Sequence, residues 1–435
     1  MVELITLRTE TSKTFDLGGT KCQLVISGVQ HYKNDYADKS ELWKDIDLTF
    51  INRRIDKAPY ILEVNGFTVT LTSKRTGTVQ TLTLDKMGAA KVSKPAFVFS
   101  GNTATWKDAA LDTDIVIEAW DSGVRFKRIL KSKNAPLEAE YTHSKVIGTA
   151  DDILLPTSAR DADGQPLEIS KTDISGVLTE TLDSKVDLSK VKYPIEIDPS
   201  PLIVGAGKDN YIVQSAANSN YSSSSTFFLN NRASFLIRAI LEFDISGIPT
   251  GQTLTSASLQ LYYCYDSNSS SSGITVWAYK QIRTNWVEAK STWNAANDDD
   301  LDGVNDAGDI FWTTAGGDYV TSSPVGGSTT FPASYDWVSW NVLAICQNAY
   351  AGAIPAEFLL KFETEGLSSG YSKPNFFSKE YTTDTSLRPK LTIAYEAAGG
   401  GWTHIAKVNG VASSSIKSVN SVLVASIAKL NGVAV

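Results

Sequence analysis

Ala257-Ser-Leu-Gln-Leu-Tyr-Tyr263 places Ala257, Leu259, Leu261 and Tyr263 on one side of an extended chain and Ser258, Gln260 and Tyr262 on the other, because successive side chains of a strand point to opposite faces. The same strand-length pattern recurs in Ile274-Thr-Val-Trp-Ala-Tyr279, Phe358-Leu-Leu-Lys-Phe362 and Leu391-Thr-Ile-Ala-Tyr395, each bounded by polar loops. Upstream, Phe67-Thr-Val-Thr-Leu-Thr72 and Thr81-Leu-Thr-Leu84 repeat it, amid Asn-Gly, Ser-Gly and Asp-Gly pairs suited to tight turns. Only Val338 to Ala351 could carry a short helix, since no long 3.6-residue periodicity appears elsewhere. The expected class is all-β, with two antiparallel β-sandwich or jelly-roll domains and a short C-terminal β-repeat tail.

With 435 residues the chain is too long for one ordinary core. The expected division is a β-rich, sandwich-like domain over 1–200, a jelly roll over 201–396, a Gly-rich linker at 397–401 and a repeat tail at 402–435. A content of 42% hydrophobic and 20% charged residues excludes wholesale disorder. Three scattered cysteines (Cys22, Cys264, Cys346) and three histidines argue against a disulfide framework and a Cys/His zinc site. Net charge is −8 without a basic cluster, so nucleic acid is not an expected partner. The N-terminus lacks the basic start and apolar run of a secretory signal, and no stretch of about eighteen apolar residues occurs. Neither classical secretion nor membrane insertion is expected.

The tail is an internal repeat. Ile405, Ile416 and Ile427 fall eleven apart, as do Val408, Val419 and Leu430, and Val411, Val422 and Val433. Asn409, Asn420 and Asn431 keep the same step, each followed by Gly or Ser, so strand and turn should alternate. So small a β segment cannot bury its own apolar face, and these nine aliphatic positions are the expected assembly contacts with further copies, as a homo-oligomer such as a trimer.

Asp209-Asn-Tyr-Ile, Asn220-Tyr221, the run from Asn231-Arg232 through Arg238 to Pro249, Trp286-Val-Glu288, Thr292-Trp293-Asn294, Trp312, Ser378-Lys-Glu380 and Arg388-Pro389 follow one another in order. This series resembles the DNRLRE family of jelly-roll, carbohydrate-binding-module-like domains over about 190 residues. His31-Tyr-Lys-Asn-Asp-Tyr36, Trp43-Lys-Asp-Ile-Asp47, Asp121-Ser-Gly-Val-Arg125 and Tyr193-Pro-Ile-Glu-Ile-Asp198 resemble the β-rich region preceding such modules in large bacterial surface proteins of the Rhs type. The Ile-Ala-Lys-Val-Asn-Gly-Val-Ala tail is similar to repeats that end phage structural proteins.

Residues 291–360 contain nine acids and no Lys or Arg. Within them, counting Asp298 as position one, acids fall at 1, 3, 5, 9 and 12 (Asp298, Asp300, Asp302, Asp306, Asp309), with Gly303 at 6 and the Val304 carbonyl at 7. This spacing wraps oxygen ligands around Ca²⁺, so a structural calcium is expected on these six residues. Asp309 replaces the usual bidentate Glu, which makes a dockerin-like or thrombospondin-like loop the closer comparison. His31, His143 and His404 accompany no nucleophile motif, so no catalytic residue is assigned. Trp286, Trp293 and Trp312 are candidate sugar-stacking faces or core, and Arg232, Arg238 and Arg388 candidate ligand contacts or buried ion pairs.

The reading that results is a non-enzymatic structural and adhesive protein. Its expected setting is the surface of a phage virion, as capsid decoration or fibre, with itself, other virion proteins and glycans as partners. The alternative is a secreted or cell-surface bacterial glycan-binding protein; the third choice is a polysaccharide-degrading enzyme.

Overall fold

The computed structural model describes residues 2–18, 20–92, 94–144, 152–162, 167, 169–203, 207–266, 272–298, 303–321, 326–327, 331–332, 334–381 and 383–397, with 407–408, 411–412, 418–419, 422–423, 429–430 and 433–434 in the tail. The chain divides into two compact units: residues 28–206, and residues 1–27 together with 207–435. The expected all-β class holds in both. Among the described residues no helix is long and apolar enough to cross a membrane.

In the 28–206 unit one sheet of eight strands runs Ile169–Ile174, Val177–Leu182, Glu138–His143, Val79–Met87, Thr68–Ser73, Tyr60–Asn65 and Arg54–Ile55, with Ala90–Lys91 also on Val79–Met87. The other, of six, runs Val98–Ser100, Thr103–Ala110, Thr113–Trp120, Gly123–Leu130, Ile195–Ile203 and Asp152–Arg160. Alternation sets the inner faces. Val69 and Leu71 point inward while Thr68, Thr70 and Thr72 stay half-buried outside, and they meet Ile115, Ile117 and Phe126 of the opposite sheet in one apolar core. Gly66, at φ +64°, allows the tight reversal between Tyr60–Asn65 and Thr68–Ser73.

The other unit is a second sandwich. Its eight-stranded sheet runs Val2–Glu3, Ser12–Asp16, Lys21–Ile26, Lys390–Ala397, Gln252–Asp266, Pro374–Phe377 and Thr226–Phe228, with Trp337–Asn341 also on Gln252–Asp266. Its five-stranded sheet runs Lys208–Val213, Ile237–Phe243, Ala356–Phe362, Val276–Lys280 and Gly326–Gly327. The expected boundary at 200 therefore needs correction: residues 1–27 belong with the later unit. Lys21–Ile26 pairs antiparallel with Lys390–Ala397, Val25 opposite Leu391, and Val25 is buried in this unit's core. An alternating segment announces a strand, but its pairing partner is set by the fold and not by its neighbours in sequence.

The expected helix covers only Leu343–Ala351, after the strand Trp337–Asn341, and seats Ile345, Cys346 and Ala349 in the same core. All three cysteines are free thiols. In the tail each repeat forms an antiparallel hairpin: Val408 opposite Val411, Val419 opposite Val422, Leu430 opposite Val433. These are the expected strand segments; the Asn-Gly and Asn-Ser steps between them lie outside the described residues. Ile405, Ile416 and Ile427 lie outside the described residues.

Candidate functional site

Ile237–Phe243 is buried on both faces. Ile237, Ala239, Leu241 and Phe243 face the sandwich interior, whereas Ile240 joins Ile212, Leu359, Trp286, Trp293 and Trp312 in a separate apolar cluster on the outer side of the five-stranded sheet. The long connection after Val276–Lys280 thus folds back as a cover held by three tryptophans. Trp286 is 2% exposed, and Trp293 and Trp312 are 6% exposed. Of the two expected readings, sugar-stacking face or core, their burial favours core: the rings are spent on covering a sheet face that would otherwise meet water.

Residues of the same connection, with Arg238, line a cleft of about 620 Å³, among them Ile282, Arg283, Asn285, Thr313 and Tyr319, within the usual size of a small-ligand site. Arg238 is its best-anchored member. It makes a fork to Glu365, with Nε at 3.0 Å and Nη2 at 2.8 Å, donates Nη1 to the Gly316 carbonyl at 2.8 Å, and lies 5.1 Å from the Trp293 ring and 5.5 Å from the Tyr319 ring. Gly316 and Gly317 make this approach possible. Both have positive φ, and a Cβ at Gly316 would meet Arg238 and Trp293, at Gly317 Leu359.

On the rim, Arg283 donates to Asp318 at 3.0 Å. Burial would raise the Asp318 carboxyl, but the amides of Thr313 and Thr314 and the Arg283 guanidinium outweigh it and hold the acid below its ordinary range. Each arginine is thus matched by a carboxylate. What the cleft offers a ligand is a field of donors and acceptors (Arg283, Asn285, Thr284, Thr313, Thr314) around the edge of Tyr319, with Ile282 exposed beside them. Such a surface suits a polyhydroxylated molecule.

Of the other expected contacts, Arg232 is exposed and lies 5.0 Å over the Tyr371 ring. Arg388 is 1% exposed, with Nε donating to the Tyr381 carbonyl at 2.9 Å, which favours the buried structural role over the ligand contact among its two expected readings. Sequence reasoning missed Ile282 to Asn285 and Thr313 to Tyr319, which lie in loops without periodicity.

Asp300 and Asp302 of the acidic loop lie outside the described residues. Asp298 is buried and its Oδ2 accepts the Gly303 amide at 3.1 Å; Asp309 Oδ2 accepts the Asp306 amide at 3.1 Å; Val304 is exposed. Gly303, at φ +78°, turns where a side chain would strike Asn218. Among the described residues, the acids whose ligand atoms converge within 4.8 Å are others: Asp209, Glu288 and Glu380, all buried. His31 and His143 sit on separate strands of the 28–206 unit, His31 Nε2 lying 3.7 Å from Asp45.

The family described as carbohydrate-binding module family 96 matches residues 203–303, which include Arg238 and Ile282 to Asn285, and this match supports a carbohydrate-binding-module-like domain in the second sandwich. No curated protein matches the chain. Among solved structures, a family 31 α-xylosidase of Xanthomonas citri aligns at 8% identity with TM-score 0.09, over 91% of this chain and 38% of that protein. This likeness carries no argument, and the chain spans well under half the length of that enzyme.

Proposed function

We propose that the protein is a non-enzymatic, glycan-binding structural protein that holds its ligand in the Arg238–Arg283–Tyr319 cleft. The observation that carries this reading is the coincidence of that cleft with the unit in which the carbohydrate-binding family matches. Affinity electrophoresis or calorimetry against a polysaccharide panel tests it. A bound glycan with Kd of roughly µM to mM is expected, weakened about tenfold or more by Arg283→Ala or Tyr319→Ala. Equal binding by these variants, with folding intact, sinks the cleft assignment.

The wider setting we propose is the surface of a virion, as capsid decoration or fibre, with an extracellular or cell-surface bacterial role as the alternative. Three successive hairpins in the tail support self-association, since isolated two-stranded hairpins are marginal in water. A calcium ion is part of the same proposal. Asp298, Asp306 and Asp309, with Asp300, Asp302 and the Val304 carbonyl, would hold it, and the Gly303 turn already draws the first carboxylate of the loop inward. Bound calcium would neutralise the loop's mutual repulsion. Light scattering and thermal unfolding of the full chain in calcium, then in chelator, address both points. A discrete oligomer lost on truncation at 397 is expected, with a fall in melting temperature on chelation; a monomer indifferent to chelator contradicts both.

A further inference from the structure

Asp209, Glu288 and Glu380 are 1%, 6% and 3% exposed, and each offers a carboxylate oxygen within 4.8 Å of the other two. They come from three places: the strand Lys208–Val213, the short turn Glu288–Lys290, and the segment after Pro374–Phe377. Lys379 answers them with one ammonium, 2.9 Å from Glu288 and 3.1 Å from Glu380. Asp209 accepts the Lys379 amide at 2.8 Å and the Ser27 hydroxyl at 3.4 Å, and Glu288 accepts the Asp209 amide at 2.8 Å.

Other charges surround the cluster. Arg388 is buried, its Nε donating to the carbonyl of Tyr381, the residue after Glu380. Lys208 lies 4.6 Å from the Trp286 ring and pairs with Glu242 at 2.6 Å, with Glu357 opposite Glu242 on the neighbouring strand. Even if Arg388 is counted with Lys379, three carboxylates face two cations. A buried carboxylate in excess takes up a proton in preference to remaining charged.

We propose that the Asp209–Glu288–Glu380 cluster is a proton-operated lock on the loop that walls the cleft. It carries a proton in the closed state, and loss of that proton in alkali releases Glu288 and, with it, the segment bearing Ile282 to Asn285. Trp286, between these residues and Glu288, is the loop's plug in the outer apolar cluster, so one anchor governs both cover and cleft wall. The lock stands on the geometry of the cluster; its effect on ligand rests on the proposed glycan cleft.

The titration follows in sign. Burial, against the pull of Lys379, raises the Glu288 carboxyl from 4.5 to about 7. Asp209 is raised well above the ordinary aspartate range by burial, then by Glu380 and Glu288. Glu357 is raised to about 8 by burial and by Glu242. These carboxyls keep protons to higher pH when folded than when unfolded. Stability from them is present in full below about pH 4.5 and is lost progressively as pH rises through about 7 to 8.

Hydrogen exchange of the full chain at about pH 6 and about pH 9, corrected for intrinsic rates, tests the lock. Protection of the amides in 282–297 is expected to fall about tenfold or more, while Tyr60–Asn65 and Thr68–Ser73 of the other unit keep theirs. In Glu288→Gln the fall shrinks to less than about threefold, and calorimetric unfolding near pH 6 releases about one proton fewer than wild type. If that variant does not fold, Asp209→Asn and the wild-type exchange comparison still decide. Unchanged protection of 282–297 between the two pH values overturns the lock. Glycan binding absent at both pH values, with protection still falling, counts against the cleft and leaves the lock standing.

Discussion

Arg128→Met is expected to cost the 28–206 unit about 3–5 kcal/mol. Arg128 and Glu180 are both fully buried. The arginine stands on Gly123–Leu130 of one sheet and the glutamate on Val177–Leu182 of the other, so the pair spans the sandwich. Its Nε and Nη2 each lie 3.2 Å from Glu180 Oε1, and Nη1 and Nη2 donate to the carbonyls of Pro136 and Leu137 at 3.1 and 3.2 Å. Methionine fills much of the stem's volume but leaves Glu180 and two carbonyls without their cation in a low dielectric. The double variant Arg128→Met, Glu180→Leu should recover most of the loss, because the cost arises from the orphaned charge. Urea unfolding with exchange-resolved peptides measures this; a single-variant loss under about 1 kcal/mol would show that the pair is not the clasp the geometry indicates.

Trp340→Ala is expected to be of similar size in the other unit, about 3–5 kcal/mol. Trp340 is fully buried on Trp337–Asn341, which belongs to the eight-stranded sheet, yet its Nε1 donates to the Val276 carbonyl of the five-stranded sheet at 2.8 Å. It also lies 6.5 Å from the Phe376 ring. Alanine therefore opens a cavity at the seam of the two sheets and removes the hydrogen bond that crosses it. Trp340→Phe should cost less, about 1–3 kcal/mol, since most of the volume remains. A fall in the urea midpoint confined to this unit's peptides is the expected readout. Equal losses for Ala and Phe would mean that the hydrogen bond, and not the packing, dominates.

The alternation in Thr68 to Ser73 and in Ala257 to Tyr263 made the all-β class legible, because period two is written directly in side-chain chemistry. The tail was legible for a related reason: an Asn-Gly or Asn-Ser step between aliphatic residues specifies a hairpin locally. The pairing of Lys21–Ile26 with Lys390–Ala397 was not legible, since sheet pairing across the chain has no local signature. The cleft was legible only at Arg238. Its other walls are loop residues whose positions depend on where three tryptophans dock, and an indole that covers a sheet looks in sequence like one that faces a sugar. Asp209, Glu288 and Glu380 were each visible as part of a motif, but their convergence was not, because nothing near any of them reports the other two.

The pairing of Lys21–Ile26 with Lys390–Ala397 also bears on how the protein is made. A ribosome delivers one half of this ladder before the 28–206 unit and the other only after that whole unit and nearly all of the second sandwich have emerged. During synthesis the inserted unit can fold on its own schedule, while Lys21–Ile26, paired on one side with Ser12–Asp16, waits with its other edge bare. A fragment cut to begin near residue 207 would carry the reverse defect, a permanently bare edge along Lys390–Ala397. Recombinant pieces of the second sandwich therefore need residues 1–27 restored, joined by a short tether in place of the insertion, if that edge is not to recruit other chains.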